Sequence, residues 1–151
     1  MAKKGREISI PIDQSLGEVY YQAEQLLKTP GYRDSSRLTL LGGVIRHHTV
    51  IPTLENASYQ PWKFDLVITR MKNPRLLVGK RDEENLAYPR RGNGDVLMQA
   101  YDEAKSRGKD MVYPVDLMIG LLRLQPPPVD RVVTALEIDR MALIEALKEG
   151  N

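Results

Sequence analysis

The only two histidines of the chain, His47 and His48, stand side by side. Imidazoles can ligate a metal ion or carry a proton near neutral pH. Consecutive residues of a helix point about 100° apart, so this pair is expected to chelate one ion poorly. It reads instead as the polar end of a helix, where a cationic imidazole complements the dipole. Carboxylates cluster at Asp82–Glu83–Glu84 and at Asp102–Glu103. Both clusters lie in polar context and read as solvated faces rather than acid/base pairs. Gly-X-Ser-X-Gly and His-Glu-X-X-His are absent from the sequence. Gly79-Lys80 is not a P-loop, because Pro74 stands where its first glycine belongs and Arg81 where Ser or Thr would bind magnesium. The chain has 0 cysteines, which removes thiolate chemistry and disulfides. These residues predict a protein that is not an enzyme and that holds no metal and no cofactor.

The stretch from Trp62 to Arg91 is the one with a binding character. It carries Lys63, Arg70, Lys72, Arg75, Lys80, Arg81, Arg90 and Arg91 against Asp65 and the acids at 82–84. Trp62, Phe64 and Tyr88 are interleaved with that charge. Cations that follow a phosphate backbone beside aromatic rings that stack on bases describe a nucleic-acid surface. An exposed charged linker, with Trp62 as a plug in the core, accounts for the same residues.

The elements that must position these groups are helical. Val96, Leu97, Ala100 and Ala104, then Leu117, Met118, Leu121 and Leu122, recur at helical spacing. Gly108 sits where a helix would end and Pro114 where the next would begin. The same pattern occurs earlier in the chain. Gln22, Ala23, Lys28 and Gly31, then Leu40, Gly43 and Arg46, match Gln99, Ala100, Lys105 and Gly108, then Leu117, Gly120 and Arg123, all 77 positions apart. Beyond Arg46, Val50, Ile51, Leu54 and Glu55 match Val132, Val133, Leu136 and Glu137 at 82 positions. That change of offset makes the second copy five residues longer, with Leu124 to Pro128 as the additional loop. A pattern that keeps its register over a helical hairpin signals an internal repeat. The segment from Trp62 to Lys80 is either a helix ending near Met71 or a short β-hairpin over 66–78, with Leu66-Val67-Ile68 and Leu76-Leu77-Val78 as strands.

At 151 residues, 42% hydrophobic and 28% charged, the chain suits one domain with a sizeable core. Its net charge of +2 demands neither nucleic acid nor membrane. No apolar run suggests a signal peptide or a transmembrane helix. The expected organisation is a single domain over 1–151, with repeat one at about 13–71, a linker at about 72–94 and repeat two at about 95–149.

Helix, glycine turn and apolar helix (Leu117 to Leu122), then Val132 to Leu136, then Asp139 and a closing amphipathic helix, resemble the Clp N-terminal repeat. That is the N-terminal domain of Clp-type AAA+ chaperones. The resemblance implies a mostly all-α fold of two tandem four-helix repeats related by pseudo-twofold symmetry. It implies a non-catalytic, protein-binding module, here without an ATPase module, that adapts or modulates Clp-type proteolysis. Its partner would be a Clp-type chaperone, an adaptor or a client protein; nucleic acid is the second choice, and no membrane is expected. The compartment would be the cytoplasm, or the plastid stroma in a photosynthetic eukaryote. The positions that would meet the partner are Asp13, Arg37, Trp62, Arg90 and Asp116. Some members use a Thr-Glu-His motif to help bind phosphoarginine. Here Arg37-Leu38-Thr39 and Pro114-Val115-Asp116 replace it, which leaves Asp13 and Asp116 as the substitute carboxylates.

Overall fold

The structure, a computed structural model, describes residues 10–29, 32, 35–70 and 93–150. Eight α-helices lie in chain order among them. They are α1 (Ser15–Gln25), followed by a 3-10 turn at Leu26–Lys28, α2 (Ser36–Ile45), α3 (Ile51–Asn56) and α4 (Pro61–Arg70). After the basic stretch come α5 (Gly94–Ser106), α6 (Pro114–Leu124), α7 (Pro127–Ala135) and α8 (Arg140–Glu149). Extended structure among the described residues amounts to one parallel bridge between Ile12 and Val112. The fold is therefore mostly helical, as the periodicity predicts. No helix among these residues is long and apolar enough to cross a membrane.

Two helices form the centre. Every residue of α2 except Arg37 is buried, and so is every residue of α6 from Pro114 to Leu122. A helix apolar on all sides needs cover on all sides. The two pack on each other, α1 covers α2, α5 covers α6, and α4, α7 and α8 close the remaining faces. Leu38, Leu41, Ile45, Leu117, Met118 and Leu121 are all within 1% of full burial, so these faces of α2 and α6 are core.

The close packing of α1 on α2 and of α5 on α6 depends on two glycines. A Cβ placed on Gly43 would stand 2.5 Å from the Val19 carbonyl oxygen and 3.3 Å from the Ala23 Cβ. A Cβ on Gly120 would stand 2.8 Å from the Val96 carbonyl oxygen and 3.4 Å from the Ala100 Cβ. Glycine, valine and alanine in one contact are each 77 positions from their counterparts in the other. Helix backbones meet directly at these two points.

Caps follow the local sequence. The Ser35 hydroxyl accepts from the Leu38 amide, and Asp139 accepts from the amides of Met141 and Ala142. Gly108, at φ +80°, ends α5 in the left-handed region, with the Lys109 amide donating back to the Ala104 carbonyl at 2.9 Å.

One open alternative is decided and two expectations change. First, Leu66, Val67 and Ile68 belong to α4 and not to a strand; their partners at 76–78 lie outside the described residues. Phe64 and Ile68, four apart, share the buried face of α4, and burial of that face decides for the helix. Second, Trp62 is no core plug: it is 59% exposed, because it lies well round the helix from Phe64. Third, the offset of 82 is a misregister. Ser58 (φ 71°) and Glu137 (φ 57°) end α3 and α7 in the same left-handed turn. In each, the next amide (Tyr59, Ile138) donates to the carbonyl five residues before it (Leu54, Val133). These turns are 79 positions apart, three fewer than the sequence match. A slip of three residues is nearly one helical turn, so the apolar pattern matches in either register. Pro127 and Pro128 do not lie in a loop but in the first turn of α7, where no amide donor is needed.

Alanine at Gly43 or Gly120 is expected to destabilise the protein by about 1–3 kcal/mol, as overpacking against backbone does. This exceeds the roughly 1 kcal/mol gain in helix propensity. Urea unfolding of the two single variants checks it, and a stabilised variant would show that the helices are not in backbone contact.

Candidate functional site

The N-terminal segment and the turn before α6 are joined by backbone. The Asp13 amide donates to the Val112 carbonyl at 2.9 Å, and the Val112 amide donates to the Pro11 carbonyl at 3.0 Å. Beside this junction a cleft of about 660 Å³ opens between the start of α1, the His47–Val50 turn, α3 and the start of α6. Its walls include Asp13, Glu18, His48, Thr53, Met111 and Tyr113.

Asp13 lies on this cleft, and its carboxylate accepts from both the amide and the hydroxyl of Ser15. Those two bonds hold its carboxyl below the ordinary carboxylate range. It is thus an ionised group on an open wall.

The histidines do not lie on a helix. α2 ends at Ile45, and both residues fall in the turn that follows it. Helical geometry therefore does not hold their side chains about 100° apart. Their rings stack with centroids 4.3 Å apart and planes 28° apart. His47 is buried, with Nδ1 2.8 Å from the Thr49 hydroxyl and Nε2 2.6 Å from Glu18 Oε1. The Thr49 amide donates to Nδ1 at 3.2 Å, which assigns the proton to Nε2 and makes it the donor to Glu18. Sequence reasoning missed Glu18. It is 29 residues from His47, and nothing in its neighbourhood marks it out.

Arg37 is engaged with another part of the chain, in a pair whose carboxylate side is exposed. Its guanidinium makes a bidentate pair with Asp95 at 2.7 and 2.9 Å and also donates to Asn93 Oδ1 at 2.9 Å. It therefore ties α2 to the start of α5 and is not free to greet a partner. Partial burial opposes charge on Asp95, but the Arg37 pair outweighs it and holds that carboxyl below its ordinary value.

Asp116 is also internal, at 0% exposure. One carboxylate oxygen accepts from the Tyr113 amide at 2.9 Å, closing the first turn of α6. The other accepts from Arg107 and lies 3.7 Å from Lys109 Nζ. Burial and the Arg107 charge push the Lys109 ammonium down to about 8. Glu103 adds a second buried carboxylate, which accepts from Arg123 Nε at 2.7 Å. Asp116 is thus committed to neutralising cations between α5 and α6. Leu38 and Val115, at the places of the Thr-Glu-His glutamate, are 0% and 4% exposed and offer no acceptor.

Trp62 is exposed, with Lys63 Nζ 5.8 Å from its ring centroid. It borders a second, shallower hollow with Arg46 and Asp65. Phe64 is buried, which removes one of the three aromatics from the basic surface. Arg90 and Tyr88 lie outside the described residues. Of the five positions expected to meet a partner, the structure places Asp13 on the cleft, Trp62 on a separate exposed face, Arg37 in a surface ion pair with Asp95 and Asp116 in a buried one. No family model, curated protein or solved structure matches this chain.

Asp116→Ala is expected to cost about 3–5 kcal/mol, because it removes the buried carboxylate that faces Arg107 and Lys109 and leaves α6 without its cap; Asp116→Asn, which keeps an acceptor for the Tyr113 amide, loses less. Chemical denaturation of the pair measures the difference. The Arg37–Asp95 pair carries a pH signature. Its carboxylate has a lowered folded value, so its contribution is present above about pH 4 and is lost as the pH falls through that lowered value. The Arg37→Gln variant is therefore expected to lose less stability than the wild type between about pH 5 and pH 3, read from thermal melts across that range.

Proposed function

We propose that this chain is a non-catalytic protein-binding module built like the Clp N-terminal domain, from two tandem four-helix repeats related by pseudo-twofold symmetry. The observation that carries this reading is the pair of glycine contacts. Gly43 on Val19 and Ala23, and Gly120 on Val96 and Ala100, repeat one interhelical closure at a 77-residue interval. The paired left-handed turns after α3 and α7 support it, as does the order of helices among the described residues, four up to Arg70 and four from Gly94. A module of this kind works by holding an adaptor, a client segment or a Clp-type chaperone, in the cytoplasm or a plastid stroma. The cleft beside Asp13 is the surface we assign to that contact. It mixes the apolar walls of Ile12 and Met111 with the carboxylate of Asp13 and the Tyr113 ring. A few residues of extended peptide would occupy it.

Asp13 remains as the one carboxylate of the two substitutes that faces open space. A guanidinium set against Leu38 or Val115 would lose its hydration without gaining a hydrogen bond. Phosphoarginine recognition therefore does not belong to the proposed activity.

Fluorescence anisotropy with a labelled, unfolded client protein tests the reading. Saturable binding is expected, changing little between low and moderate salt and weakened at least tenfold by Met111→Arg, which fills the cleft without touching the core. A protein that ignores the client but binds an oligonucleotide, with an affinity that falls steeply as salt rises, would instead assign the function to the basic stretch around Trp62.

A further inference from the structure

We propose that Glu18, His47 and His48 form a binding site for a divalent transition-metal ion, zinc by its chemistry, at the edge of the cleft. One ligand atom from each residue lies within 4.8 Å of the other two. Two imidazole nitrogens and one carboxylate oxygen make the donor set of a zinc site that keeps further positions open to water. The cleft supplies room for that water.

His47 is oriented in advance. Its side chain is 4% exposed, and the ring is held between Thr49 on Nδ1 and the Glu18 carboxylate on Nε2. A metal-ligating imidazole is ordinarily fixed in this way by a partner on its second nitrogen. Coordination through Nε2 requires that nitrogen to give up its proton. In the neutral ring the proton passes through solvent to Nδ1, where it is donated to the Thr49 hydroxyl 2.8 Å away. That hydroxyl can accept as readily as it donates. The exchange gives up the 3.2 Å bond from the Thr49 amide and the 2.6 Å hydrogen bond from Nε2 to Glu18, which the shared ion replaces, and no net proton leaves the neutral imidazole.

Glu18 and His48 supply the movable ligands. The Glu18 side chain is 61% exposed, and its carboxylate already lies 2.6 Å from the His47 Nε2. His48 is exposed, and among the described residues only its stacking on His47 positions it. Bond lengths of about 2.0–2.2 Å require the His48 ring to turn out of that stack. The Asp13 carboxylate, on the same cleft and kept ionised by Ser15, adds negative charge facing the incoming cation. The site stands apart from the protein-binding reading and does not require it.

Calorimetric titration of the full chain without a histidine tag tests this, using Zn²⁺, with Co²⁺ absorption reporting the coordination geometry. His47 is buried, so its replacement would report on folding; the two exposed ligands are replaced instead. The wild type is expected to bind one equivalent and to melt at a higher temperature with Zn²⁺ than without. His48→Ala and Glu18→Gln are each expected to weaken binding at least tenfold and to lose the thermal shift. Thr49→Val, which keeps all three ligands but removes the outer partner of His47, is expected to fall between the two. Absence of saturable binding in the wild type overturns the proposal. An isotherm of either ligand variant that matches the wild type overturns it too.

Discussion

A helix that is apolar on every side cannot face water, and this chain contains two. α2 and α6 are buried along nearly their whole length, and the rest of the molecule is arranged to cover them. The covering helices can approach so closely because Gly43 and Gly120 present no side chain where α1 and α5 cross. Carbonyl oxygens of Val19 and Val96 occupy the space a Cβ would need. The hydrophobic effect drives the burial, but these two backbone contacts set the distance at which it is realised.

The exceptions to apolar packing stand at the seams between helices. Arg37 leaves α2 at its first turn and reaches Asp95 at the start of α5. Asp116 turns back to cap α6 and takes up the charge of Arg107 and Lys109. Tyr32, fully buried, donates to Asp65 of α4, which also pairs with Arg46 at 3.1 Å. Such links add little to stability beyond what apolar residues of the same shape would give, yet breaking one side of a buried pair is costly. Charged residues that look available in the sequence are therefore taken up by partners within the chain, Asp116 in the interior and Arg37 at the surface.

The cleft lies where the N-terminal segment meets the turn before α6. Two backbone hydrogen bonds join segments about a hundred residues apart in the chain and form one margin of the cleft. The turn after α2 brings His47 and His48 to another margin, facing Glu18 on α1. The proposed protein contact and the proposed cation site both draw on this one region, and the Asp13 carboxylate faces both.

The helices themselves were legible in the sequence. Apolar spacing marked α1, α2, α5, α6 and α8, Gly108 and Pro114 marked ends, and the 77-residue match pointed to the glycines that meet a neighbouring backbone. Local chemistry controls these features, because caps, turns and helical periodicity depend on residues a few positions apart. Register beyond Arg46 was not legible, since a slip of three residues leaves a helical apolar pattern nearly unchanged. Nor was the state of Leu66-Val67-Ile68, where β-branched residues suit a strand until Phe64 and Ile68 find one buried face. The charges were misread for the same reason. Arg37 and Asp116 look like surface groups until α5 supplies Asp95 and Arg107, and Glu18 has no visible relation to His47 until α1 packs on α2. Pairing between distant side chains is decided by which helix faces meet, and only the tertiary structure brings those faces together.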